Sequence, residues 1–126
     1  MKECRIHHYN GPNTVQVDQV DVPEPGPGEV RIRVRAAGLN NSDLQTTYGT
    51  YRGYGHQGLP HILGQEAAGE VEAIGSDVTE FVPGMRVFGH VSGAFAETAL
   101  GPTSELLSLP QNMSYEVAAS LPITYL

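Results

Sequence analysis

The chain has 126 residues, enough for one domain with a real core, and its 15 glycines and nine prolines without a sustained helical period favour strands and turns. A net charge of −7, from 14 acidic and 7 basic side chains, argues against nucleic acid or an anionic membrane surface as a partner. A single cysteine, Cys4, excludes an intrachain disulfide and fits a reducing compartment. The N-terminal MKECRIHH has no apolar signal-peptide core, and no stretch approaches the ~18 apolar residues of a membrane span, so the expectation is a soluble, cytoplasmic protein.

Residues 2–9 and 14–22 read as strands, the second carrying apolar Val15, Val17, Val20 and Val22, with a bulge near Asp18-Gln19. EPGPGE at 24–29 is a stiff turn, since each proline fixes φ and each glycine supplies freedom. The next segment, 29–38, alternates: Val30, Ile32, Val34 and Ala36 share one face, and Arg31, Arg33 and Arg35 share the other, read as a solvated face ahead of an anion-binding stripe. Residues 41–47 can make one or two helical turns with Asn40 or Asn41 as N-cap. The polar, Tyr-rich stretch 48–60 is a long loop, and loops of that length are functional or mobile. Strands follow at 67–74, where Val71, Ala73 and Ile74 alternate with Glu70 and Glu72, and at 85–91, after a turn at Gly75-Ser76-Asp77. Further strands are expected near 94–100 and 105–109, then a helix with Ser114 as N-cap and Glu116 near its start. Many short strands joined by Gly/Pro turns imply a mainly β, partly open barrel with short helices.

Two patterns invite chemistry and fail on context. Gly53-Tyr54-Gly55-His56-Gln57-Gly58 matches GxGxxG, but that motif needs a strand before it and a helix after it. Here a Tyr-rich loop precedes it and Pro60 follows. Histidines 7, 8, 56, 61 and 90, with Cys4 and Glu66, raise a metal site. Strand alternation puts Cys4 and His8 on one face and His7 on the other, and no HxH, HExxH or CxxC occurs. Isolated histidines of this kind read as surface or hydrogen-bonded residues.

Six segments in order carry a resemblance: EPGPGEVRIRV (24–34), AAGLNNSDL (36–44), LGQEAAGEVEAIG (63–75), GMRV (84–87), GAFAE (93–97) and AASLPITYL (118–126). Together they resemble the medium-chain dehydrogenase/reductase superfamily, in its zinc-free quinone oxidoreductase-like branch. The resemblance implies that residues 1–126 are the GroES-like, substrate-side domain, and that a Rossmann nucleotide-binding domain is absent from this chain. In the zinc-dependent branch the ligands are a Cys matching Asn40, a His matching Gln65 in a Gly-His-Glu triplet, and a Cys matching Ile123. Amides are poor zinc ligands and Ile is none, so no zinc is expected. Met85 replaces the usual Asp of a Gly-Asp-Arg-Val turn.

The resemblance further implies hydride transfer from NADPH to a quinone or enone, with Asn40 near the nicotinamide and the substrate carbonyl and Tyr51 lining the same cleft. Gln45 stands where some bacterial quinone reductases carry Tyr. The alternative role for Asn40 is a helix N-cap, and the two roles are compatible. The rival to an enzyme domain is a stand-alone, non-catalytic binding or structural domain. Nothing in the sequence fixes oligomeric state, so a homo-oligomer stays open.

Overall fold

The computed structural model describes residues 1–52 and 58–126. Among the described residues, eight strands form two antiparallel sheets. The smaller has the order β2 (Gln16–Gln19), β1 (Lys2–Ile6), β4 (His61–Ile62). The larger has the order β7 (Thr98–Pro102), β3 (Glu29–Ala37), β5 (Glu66–Ile74), β6 (Arg86–His90), β8 (Leu106–Ser108). It curls into a half-barrel, and a lone bridge between Ser92 and Leu100 ties the end of β6 to β7.

Two bulges decide which side chains face inward. Between β3 and β5, Arg31 opposes Ala73 while Ile32 opposes Val71, which leaves Glu72 as the extra residue. That insertion returns Ile74, three positions after Val71, to the same core. The second shift leaves Arg35 unmatched between Val34 and Ala36. Val34 therefore packs on the inner core, whereas Ala36 packs on a different cluster. The expected single face Val30, Ile32, Val34, Ala36 is thus corrected at its last member, because a bulge reverses the alternation.

The inner core joins Val30, Ile32, Val71, Phe81, Val87, Val91 and Leu106 with small alanines. The outer cluster sets Ala68 and Phe88 against Ala118 and Ala119 of helix α2 (Tyr115–Ala119). Burying each large side chain stabilises by about 1.5–3 kcal/mol. The arginine face is paired rather than merely wetted: Arg31 and Arg33 donate to Glu72 at 3.0 and 3.2 Å, and Arg35 to Glu70 at 2.9 Å. The Arg35 hydrogen bond holds the Glu70 carboxyl below the usual carboxylate range. The Arg33 and Arg35 pairs are open to solvent, and such pairs contribute about 0–1 kcal/mol each, so the core is the larger contribution to holding the sheet.

Helix α1 (Asn41–Tyr48) follows β3, with Asn40 as N-cap, and ends at Gly49 in the left-handed conformation. Ser114 accepts the Val117 N–H at 3.2 Å and so caps α2. A further short helix, α3 (Pro122–Tyr125), has Pro122 at its start, a position that favours proline and that marks it in the sequence.

The N-terminal strands are shorter than the expected 2–9 and 14–22. The second begins after a 3₁₀ turn at Pro12–Thr14 and pairs with β1 in unbroken register, so no bulge lies at Asp18-Gln19. As an edge strand it leaves Val17 64% exposed, which is why its valines do not build the core. The strand expected at 94–100 starts later, because residues 94–97 bridge the two sheets instead. Cys4 N–H donates to the Phe95 carbonyl at 2.7 Å and Val34 N–H to the Glu97 carbonyl at 3.0 Å.

A side chain at Gly69 would place its Cβ 1.9 Å from the Arg33 carbonyl oxygen, inside the β3–β5 ladder. Gly69→Ala should therefore force the two central strands apart and cost at least about 2 kcal/mol, read as a lower urea midpoint with little change in slope.

Candidate functional site

The start of α1 and the start of β5 meet at a group of buried polar side chains. Asp43, Gln65 and Glu66 are 3%, 7% and 2% exposed. Glu66 opens a strand whose next residues, Ala67, Ala68 and Gly69, are small and buried, so neighbouring backbone closes over it. Gly38 permits the approach, since a Cβ there would lie 2.0 Å from Glu66 Oε1. Each carboxylate oxygen has a donor: Oε1 accepts from Asn40 Nδ2 at 2.7 Å and Oε2 from the Ile123 N–H at 2.8 Å.

Asn40 and Asp43 form a reciprocal capping box, in which the Asn40 N–H donates to the Asp43 carboxylate at 2.8 Å. Gln65 Nε2 donates to Ser42 Oγ at 3.1 Å, and Gln65 also hydrogen-bonds Asp43. Burial pushes the Asp43 carboxyl up, and the charge of Glu66 adds to this. Backbone N–H groups of Asn40 and Gly64 and the Gln65 side chain oppose it. The inner side of α1 is accordingly polar, with Asp43, Thr46 and Thr47 buried, while Leu44 turns outward.

Beside this network lies an apolar cavity of about 500 Å³, walled by Leu39, Leu44, Leu63 and Phe95, with Asn40 and Asp43 among its few polar groups. Leu39 is 80% exposed, so the wall is open to a ligand or to another surface. A neutral amide and a buried acid at the edge of an apolar wall can orient a flat, polarised molecule.

The expected site residues separate in space. Asn40 lies at the cavity. Tyr51 stands beyond the end of α1, 38% exposed, and is not part of the cavity wall. Gln45 accepts the Thr50 hydroxyl with its side-chain oxygen. Residues 53–57, which hold most of the GxGxxG match, His56 and the centre of the 48–60 loop, lie outside the described residues. His7 pairs with Asp18 at 2.7 Å and His90 with Glu105 at 3.0 Å, on different parts of the surface. β1 ends at Ile6, so the strand face expected to join Cys4 and His8 does not extend to His8. Among the described residues no three His, Cys, Asp or Glu side chains gather as a metal-holding group. Nor is any helix among them long and apolar enough to cross a membrane.

Asn40, Gln65 and Ile123, the three positions matched to zinc ligands, do come together around Ser42 and Glu66. Their donor set does not fit zinc. Both amide nitrogens already point N–H groups at acceptors, and Ile123 offers a backbone N–H. As a sequence, Glu66 is only a metal-ligand candidate. Its real role, accepting two N–H groups, was signalled only by a lone acid entering a run of small buried residues.

Residues 26–111 match the family model of the alcohol dehydrogenase GroES-like domain. The chain belongs to that family. It is 40% identical over 122 residues to a quinone oxidoreductase of Pseudomonas aeruginosa, an alignment that covers 95% of this chain and 37% of that protein. Among solved structures, the human synaptic vesicle membrane protein VAT-1 homolog-like protein superposes with a TM-score of 0.91 at 32% identity, covering 99% of this chain and 40% of that one. The Escherichia coli quinone oxidoreductase, solved in complex with NADPH, gives 0.87 at 29% identity, over 94% of this chain and 36% of that one. The chain therefore spans under two fifths of the curated relative. These likenesses place the GroES-like half-barrel within the medium-chain dehydrogenase/reductase superfamily, on its quinone oxidoreductase-like side.

The raised Asp43 pKa has a defined sign in pH. A folded-state pKa above the ordinary 3.8 means the folded chain holds the proton more tightly than the unfolded one. Its contribution is complete below about 3.8 and is lost as pH rises through the folded-state value. In denaturant midpoints across an acid-to-neutral pH series, the stability of the wild type relative to Asp43→Asn should fall over that window.

Proposed function

We propose that this chain is the substrate-side domain of a zinc-independent, NADPH-dependent oxidoreductase of the cytoplasm that reduces a quinone or enone. The observation that carries the reading is Asn40: a neutral amide, held by Glu66, beside an open apolar cavity. When bound, the nicotinamide supplies the hydride. A flat, uncharged ring suits the Leu39, Leu44, Leu63 and Phe95 wall, which would shield it from water. The amide offers both donor and acceptor without charge, so it can orient a carbonyl and a carboxamide and stabilise negative charge developing on the acceptor oxygen. Tyr51 is proposed to line the same cleft once the nucleotide-binding domain is in place. No side chain of this domain is assigned as general acid, and solvent is proposed to deliver the proton.

In this domain joined to a relative's nucleotide-binding domain, Asn40→Ala should slow single-turnover hydride transfer on the order of ten- to a thousand-fold. Asn40→Asp should be at least as slow, since it sets charge beside a developing oxyanion. An Asp variant with native rate would reduce Asn40 to a cap.

The isolated 126-residue chain should neither oxidise NADPH with a quinone nor hold zinc when purified without metal-affinity steps. Enzyme-like turnover would contradict the two-domain reading. About one zinc per chain by elemental analysis would contradict the zinc-free one.

A further inference from the structure

We propose that Glu66 is a positioning residue that fixes which way the Asn40 carboxamide faces, and so which hydrogen-bonding groups Asn40 has left for a ligand. The ligand clause rests on the reading of Asn40 given above; the orientation itself does not. An amide oxygen only accepts and an amide nitrogen only donates, and their partners decide which is which. Here both arms are constrained. Glu66 Oε2 is held by the Ile123 N–H, a donor that cannot reverse, and Oε1 faces Asn40 at 2.7 Å. Oε1 accepts there, so the Asn40 carboxamide turns its nitrogen to Glu66. The capping box with Asp43 sets the Asn40 oxygen on the side of the helix N-terminus. One N–H and one oxygen lone pair remain for a ligand. Glu66 is 2% exposed, so bulk water is no ready substitute for a lost partner.

The arrangement is coded by polarity, which makes it testable by exchange. In Glu66→Gln the Ile123 N–H keeps the new side-chain oxygen, so the new NH₂ faces Asn40. Asn40 then either opposes it with its own NH₂ or flips and points N–H groups at the helix N-terminus. Asn40→Asp alone sets two carboxylates against each other. In the double variant Asn40→Asp/Glu66→Gln, the introduced aspartate accepts from the introduced glutamine and also caps the helix.

The experiment uses the 126-residue chain, labelled with ¹⁵N and ¹³C. In the wild type, through-hydrogen-bond couplings are expected from Asn40 Nδ2 and from the Ile123 amide to the Glu66 carboxyl carbon. Each single variant should lower the melting midpoint on the order of 5–15 °C, and the double variant should recover most of that loss. The double variant should also show a coupling from the side-chain nitrogen of the introduced glutamine to the carboxyl carbon of the introduced aspartate. Additive losses in the cycle, or Asn40 side-chain signals unmoved by Glu66→Gln, would overturn the proposal. Where a single variant does not fold, folding of the double variant with that coupling supports it, and failure of the double variant overturns it. No cofactor or acceptor enters these readings. A positive cycle alongside native hydride-transfer rates in Asn40→Ala would keep the positioning role and discard the redox one.

Discussion

A buried carboxylate with no cation beside it among the described residues organises this domain. Glu66 forms no ion pair among the described residues, yet it is almost wholly shielded from water. Burying such a group is tolerated only when hydrogen bonds replace the lost water. The two donors that replace it come from segments 26 and 57 positions away, the N-cap of α1 and the first turn of α3. One side chain at the head of β5 thus ties the central sheet to the starts of α1 and α3. The same contact fixes Asn40, and through the capping box it fixes the direction in which α1 leaves β3. The cavity wall depends on that direction, because Leu39 and Leu44 sit close on either side of the cap.

Much of this architecture is written in local pattern. The alternation over 29–38 and 67–74, the caps at Asn40 and Ser114 and the Gly/Pro turns all lead to a curled β domain, and the fold contains one. Alternation fails where the chain inserts a residue. A bulge depends on the partner strand's register, and no property of Glu72 or Arg35 announces that either will be the unmatched residue. The valines of 14–22 mislead for a related reason. They form a valid strand pattern, but whether a strand lies at an edge or at the centre is decided by its neighbours, and β2 has a neighbour on one side only.

The candidate site was legible in part. Asn40 stands out as an N-cap residue and by the resemblance of its segment. Asp43 is an ordinary first-turn acid until burial shifts its proton affinity. Glu66 could not be read from spacing, since its partners are a side chain and a backbone N–H supplied by distant segments. Ile123 shows the limit most clearly: its side chain says nothing, and it acts through a main-chain group that every residue except proline possesses.

The hydrogen bonding at Asn40, Gln65 and Ile123 gives a physical reason why these positions do not suit a metal ion. The three positions that the resemblance matches to zinc ligands converge in this fold, and what they present there is two amides and a backbone N–H. A zinc ion would ask those groups for lone pairs, and here the two amides answer with N–H groups already directed at Ser42 and Glu66. The network satisfies Glu66 and leaves Asn40 one N–H and one oxygen lone pair. What it offers outward is shape, an apolar wall and an oriented neutral amide. The open, leucine-lined side of the cavity is the face left free for a ligand or another surface.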